Sequence, residues 1–212
     1  MANYFNYYPK VVYNLNDNNA LDTVVNLTTN FSFIGDLIDN SSVYYEYTIA
    51  DGDTPEIVSN KIYSEPFYHW IILRFNNIVD VKTQWPCDYN TLIQNIEDYY
   101  SQFAGVNETG IEWAMSNYHS QYRIETKTYQ GLIEQTVEKY EIDAATYASL
   151  SPSTTQYVLP GNVVMTLDVS KDRKTFYEYE LELNEKKRNI KILKNEFITP
   201  VKQEFVRIMT NE

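Results

Sequence analysis

The chain has 212 residues, with a hydrophobic fraction of 43% and a charged fraction of 22%. That is enough apolar material for one compact domain or two small ones, and it excludes a chain disordered throughout. The formal net charge of −12 opposes nucleic acid and anionic membrane as main partners, because each would repel it.

Tyrosine is used 20 times and glycine only 6 times. A tyrosine ring is rigid and apolar with a polar tip, so it serves half-wet protein contacts and also strands and cores. Both readings stay open at this point. Cys87 is the only cysteine, which rules out an intramolecular disulfide and fits a reducing compartment such as a bacterial cytoplasm. It sits in the turn-like Trp85-Pro86-Cys87-Asp88, and the only histidines are His69 and His119, so it is not read as a nucleophile. Residues 1–10 lack the apolar run of a secretory signal. The longest apolar run, Trp70-Ile71-Ile72-Leu73, is far short of the roughly 20 residues of a membrane span. Without such a signal, the glycosylation sequons at Asn26, Asn40 and Asn107 read as chance matches.

Residues 1–40 read as an extended arm that orders against a neighbour. A polar turn cluster at 14–19 divides short apolar groups with no sustained period. Residues 43–49 are a β-rich run of Tyr, Val, Thr and Ile. Asp51-Gly52-Asp53 is a turn, and Thr54 then caps a helix with Pro55 at its first position. That helix is expected to reach Tyr63 and to bury Ile57, Val58 and Ile62. Ser64-Glu65-Pro66 starts a second helix, to about Phe75, that is apolar on almost every face. Such a helix is either buried on several sides or covered by a partner.

Asn90-Thr91 opens a helix to about Phe103, with Leu92, Ile93, Ile96, Tyr99, Tyr100 and Phe103 at helical spacing. Ile111, Ala114, Met115, Tyr118 and Tyr122 define another. Residues 123–129 and 138–143 read as a hairpin around Gly131. Residues 151–161, with two prolines, read as a loop. Residues 163–169 are the clearest strand. Residues 175–193 read as one helix with Phe176, Tyr179, Leu183, Ile190 and Leu193 on its stripe and a Glu182–Lys186 pair. Thr199-Pro200 opens a final helix whose apolar face is Val201, Phe205, Ile208 and Met209.

Nothing in the chain assembles a catalytic, metal or cofactor set. The phosphate-loop, dinucleotide, zinc-protease and nucleophile-elbow patterns are absent from the sequence. His69 lies in an apolar run and reads as a packed or partner-facing ring. His119 has no second ligand at metal spacing. Asp51-Gly52-Asp53 is too short for a calcium loop. Glu178, Glu180, Glu182 and Glu185 read as the solvated face of a helix. The chain is therefore expected not to be an enzyme and to need no cofactor.

Tyr47-Thr48-Ile49-Ala50-Asp51-Gly52-Asp53-Thr54, followed by Ile57-Val58, resembles the opening of a LysM domain, and Leu73 and Asn76 resemble the close of its second helix. The family then returns with a second strand carrying Pro-Gly-Gln. Here Ile78-Val79-Asp80-Val81 leads to Gln84-Trp85-Pro86 instead, so glycans are not expected as the main ligands. Residues 56–63, Pro66, Tyr68-His69-Trp70 and Asn76-Asn77 resemble, more specifically, the LysM-like segment of a baseplate wedge subunit of T-even-like contractile-tailed phages. Tyr179-Glu180, Leu183-Asn184-Glu185-Lys186, Arg188, Ile190-Lys191-Ile192 and Arg207-Ile208-Met209 resemble its C-terminal region.

The resemblance implies a structural virion protein, six copies per baseplate, assembled in the host cytoplasm, that clamps adjacent wedges around the hub. Its partners would be other wedge and hub proteins. The residues expected to meet them are Tyr47, Asp53, Tyr68, His69, Trp70 and Trp85 in the LysM-like unit, and Lys186, Arg188, Phe197, Phe205 and Ile208 in the C-terminal part. The alternative is a LysM-type peptidoglycan-binding module of a tail-associated, cell-wall-active protein. The expected fold class is α+β: a small LysM-like β-α-α unit, a mixed middle region with short antiparallel strands, and a helical C-terminal segment. The expected divisions are an arm at 1–40, the LysM-like domain at 41–86, the mixed region at 87–165, and a C-terminal strand and helices at 166–212.

Overall fold

A computed structural model describes residues 7–13, 21–26, 40–130 and 135–210. The fold is α+β, with short antiparallel sheets and a C-terminal helix. The polar cluster at 14–19 and the hairpin glycine Gly131 lie outside the described residues. The chain divides into two compact units: residues 1–88 together with 185–212, and residues 89–184. The first unit is thus discontinuous, where four consecutive segments were expected.

In the first unit, β1 (Lys10–Tyr13) and β2 (Asp22–Val25) form a two-stranded antiparallel sheet of their own. β3 (Tyr44–Thr48) leads through a turn in which Gly52 takes a φ of 76°, a region open to glycine at little cost. Thr54 then caps α1 (Pro55–Tyr63), its side chain accepting from the Ile57 N–H at 3.4 Å. The helix ends at Ser64 in the left-handed conformation. It buries Val58 and Ser59, and Ile57 faces outward. Ser59 is inside because its hydroxyl donates to the Glu65 carbonyl at 2.7 Å. A short 3-10 turn, Pro66–Tyr68, feeds α2 (His69–Phe75), and a further short helix, α3 (Val81–Gln84), follows.

The strand that pairs with β3 comes from the far end of the chain. β8 (Asn189–Leu193) runs antiparallel to it, with Tyr45 opposite Ile192 and Tyr47 opposite Ile190. The expected helix over 175–193 therefore stops at Lys186. Ile190 and Leu193 fit a helical spacing, but Ile190 and Ile192 fit a strand equally well, and pairing with β3 decides between them.

β8 and α2 together serve two cores. Ile190 and Ile192 join Ile49, Val58, Ile72, Ile78 and Trp85. Leu193 joins Trp70, Ile71 and Phe75 with Tyr8 and the C-terminal helix α8 (Ile198–Thr210). The all-round apolar character of α2 is thus satisfied within the chain, since its residues feed both clusters. In α8, Val201, Phe205 and Met209 are buried at four-residue spacing and Ile208 faces outward. Tyr8 ties the segment expected as an extended arm to this core.

In the second unit, α4 (Tyr89–Tyr100) buries Leu92, Ile96 and Tyr100 on one stripe. α5 (Gly110–Ser116) starts with a capping box between Thr109 and Glu112. Those backbone and hydroxyl hydrogen bonds hold the Glu112 carboxyl below its usual range. Tyr118 and Tyr122, expected on this helix, belong to β4 (Tyr118–Tyr129). β5 (Gln135–Ile142) follows, then α6 (Ala144–Ser149), β6 (Ser153–Leu159), β7 (Val163–Thr175) and α7 (Phe176–Lys186). The strands form one antiparallel sheet in the order β5-β4-β7-β6. The expected loop at 151–161 contains strand β6, whose Thr, Tyr and Val are good strand residues bracketed by Pro152 and Pro160. Ser120 is the only buried residue among the described residues of this sheet.

Gly110 sits where α5 meets α4. A Cβ there would lie 2.3 Å from the Glu97 carbonyl oxygen and 2.7 Å from the Ser101 nitrogen, both backbone atoms. Glu97 closes the same joint, its carboxylate accepting from the Gly110 and Ile111 N–H groups at 3.1 and 2.9 Å. Gly110→Ala is expected to destabilise the protein by about 1–3 kcal/mol through overpacking, read as a lower urea midpoint. An unchanged midpoint would show that the two helices can part without cost.

Candidate interaction surfaces

The β3–α1–α2–β8 arrangement is held by side chains that reach between sequence-distant segments. Asn76, at the end of α2, donates to the Ile72 and Lys191 carbonyls at 2.9 and 2.8 Å and accepts from the Lys191 N–H at 2.8 Å. Its amide acts as a strand partner would, fixing β8 against the helix. Tyr63 donates to the Leu193 carbonyl at 2.9 Å, and burial pushes its phenol well above its ordinary pKa, so the proton stays in place.

Arg188 closes the opposite end. Its guanidinium meets Asp51 at 2.7 Å, Glu185 at 2.8 Å and the Ile49 carbonyl at 3.3 Å. The two carboxylates, Asp51 first and then Glu185, raise its pKa above the usual arginine value. The fork geometry of arginine suits three acceptors at once. The expected partner contact Arg188 is therefore largely occupied within its own unit.

The other expected contact residues divide by depth. Trp70, Trp85 and Phe205 lie in the interior. Trp70 is 8% exposed and packs on Phe205 with ring centroids 4.8 Å apart. Trp85 donates from its indole to the Asp53 carbonyl at 2.7 Å. The departure from the LysM pattern at Gln84-Trp85-Pro86 thus places a ring beneath the turn that precedes α1. A partner reaches these three only by unfolding the core around them.

Tyr47, Asp53, Tyr68, His69 and Phe197 are half-buried. Asp53 pairs with Lys61 at 2.6 Å, and the His69 ring Nδ1 lies 3.0 Å from the Pro66 carbonyl. Tyr68 receives Lys202 both over its ring, at 4.9 Å, and at its hydroxyl, at 3.2 Å. Lys186 and Ile208 are exposed. Phe67 and Val79, not among the expected contacts, are exposed apolar residues. A shallow cleft of ≈ 230 Å³ is lined by Asn76, Asn77, Ile78, Gln84, Lys187, Asn189 and Ile190.

The second unit carries a chain of touching rings. Trp113 stacks on Tyr100 and Phe103 at 5.6 and 5.3 Å and meets Phe176 at 5.3 Å. His119 stacks on Tyr179 at 3.6 Å and lies edge-on to Phe176 at 5.4 Å. Tyr100 donates to Glu180 at 3.0 Å, and burial first, then that carboxylate, raises its phenol pKa. Tyr99 and Phe103 stay more than half exposed at the margin. Among the described residues, no helix is long and apolar enough to cross a membrane.

Trp70→Ala is expected to cost about 3–5 kcal/mol, because it empties a core site shared by α2 and α8. Chemical denaturation measures this. A near-neutral change would place the ring on a surface.

No family model matches the chain, and no curated protein matches it.

Proposed function

We propose that the chain is a structural baseplate wedge protein of a contractile phage tail that clamps adjacent wedges around the hub. One observation supports this above the rest. Of the two stretches that resemble the wedge subunit, far apart in sequence, the first contributes α1 and α2, and the part of the second from Glu185 onward contributes β8 and α8, to one compact unit, while Tyr179-Glu180 and Leu183-Asn184 belong to the other. Independent chance resemblances have no reason to share a core. The role is non-enzymatic, with wedge and hub proteins as partners, six copies per baseplate, and a place in the virion after assembly in the host cytoplasm.

We read the β3–α1–α2–β8 order as a LysM-like βααβ unit whose second strand is supplied after a long insertion. The exposed residues Lys186 and Ile208, and the half-buried Tyr68 and His69, remain the contacts of choice. Ile208→Asp is expected to leave the unfolding free energy within about 0.5 kcal/mol of the parent, as for other exposed sites, and to lower incorporation into tails. Thermal denaturation checks the first part and mass spectrometry of purified tails the second. Absence of the parent protein from purified virions would sink the proposal.

A second reading, a peptidoglycan-binding module, is favoured by the cleft beside Asn76. Its amide-rich lining is suited to hydrogen bonding with a sugar chain. Sedimentation with purified peptidoglycan tests it, and a protein left in the supernatant eliminates it.

A further inference from the structure

Among the described residues, two sheets have an open edge. The first is the β1–β2 hairpin. Two strands alone are marginally stable in water, and a third strand or a covering helix is ordinarily needed. Here no further described strand pairs with the hairpin. Every residue of β1 is exposed, with Val12 at 62% and Tyr13 at 60%. The second is the outer edge of β6. Natural sheets guard an edge with charge, proline, a bulge or shortness. β5, the opposite edge of that sheet, carries Glu138, Lys139 and Glu141. β6 is Ser-Thr-Thr-Gln-Tyr-Val-Leu, seven exposed or half-exposed residues with no charge and no proline.

We infer that the β1 strand of one copy adds to the β6 edge of a second copy, head to tail, giving the strand order β5-β4-β7-β6 followed by the neighbour's β1-β2. The charge pattern points to a second copy of this chain. At a net charge of −12, a contact between copies is repulsive wherever carboxylates line it. β6 has no charge and β1 carries only Lys10, so neither strand brings a carboxylate to this seam. The lengths also fit. A four-residue strand spans roughly 14 Å and seats within the roughly 24 Å of the β6 edge. The side chains that would meet are Val, Tyr and Thr, the favoured cross-strand pairs.

Donor and acceptor are different surfaces, so the contact is heterologous. Heterologous contacts close into a ring or run on as a filament. The contact rests on the two open edges; its closure at six copies rests on the wedge reading above.

Sedimentation of the full chain under reducing conditions, over a range of concentrations, tests the inference. The parent is expected to associate stepwise. Val12→Lys and Val158→Lys, both at exposed positions, are each expected to weaken association by about tenfold or more. Val106→Lys, exposed and outside both edges, is expected to leave it unchanged. Circular dichroism verifies that each variant is folded. Mixing the two edge variants supplies one intact donor and one intact acceptor, so a dimer that grows no further is expected. A parent that stays monomeric overturns the inference. So does association that survives Val158→Lys, or a mixture of folded edge variants that does not pair. Copy-to-copy association by a protein missing from purified virions would reject the wedge reading and leave the contact standing.

Discussion

The pairing of β3 with β8 organises the rest of the first unit. Thr48 and Asn189 are joined through their side chains across 141 positions of sequence. Closing so long a loop costs entropy, but slowly: each doubling of length adds only about 0.6 kcal/mol. The intervening residues 89–184 fold as a unit of their own, which shortens the flexible path further. Asn76 then secures β8 to α2, and Ile190 and Ile192 fill one core while Leu193 fills the other. Both cores lose a wall if β8 leaves. Stability of the first unit therefore depends on a strand that forms after the second unit has been passed, and non-local pairing of this kind slows folding.

Local signals in the sequence are clearest where one residue type has one physical use. Thr54 and Pro55 start α1 as a cap and a first-turn proline must, and residues 163–169 lie within a strand because Val, Met and Leu alternate there. The signals fail where a short segment satisfies two periods. Tyr118 and Tyr122 are four apart, as on a helix, yet two-residue alternation fits them equally, and pairing with β7 settles the matter. Asn189–Leu193 is the same ambiguity with larger consequences. β6 was hidden differently, because Ser, Thr and flanking prolines are turn residues in isolation and strand residues beside β7. The candidate contacts followed the same division. The resemblance marked Trp70, Trp85 and Phe205 as partner contacts, but the location of α8 and the turn at Asp53 shows them to be internal.

Tyrosine, open to two readings from composition, serves both. Tyr8 and Tyr100 are buried, and the Tyr63 hydroxyl donates a hydrogen bond to a carbonyl inside the unit. Tyr13, Tyr99 and Tyr157 stand at surfaces. The ring satisfies either setting because its apolar body packs while its hydroxyl finds an acceptor or water. A chain with few glycines and many tyrosines can thus extend long strands with little core of their own: β4 and β7 are half-exposed along most of their length.

That half-exposure shifts where partners are to be sought. Once α2 is enclosed by its own chain, its apolar excess no longer calls for an outside cover. Uncovered apolar material lies on the hairpin, along β6, at the aromatic margin of Tyr99 and Phe103, and at isolated positions such as Phe67 and Val79. The first two are strand edges, where backbone groups as well as side chains await a partner. A backbone edge recognises direction and spacing more than residue identity, and it repeats identically in every copy. A protein that must join identical neighbours gains more from such an edge than from a single anchoring ring, and this chain keeps its tryptophans Trp70 and Trp85 inside while leaving its β6 edge uncharged.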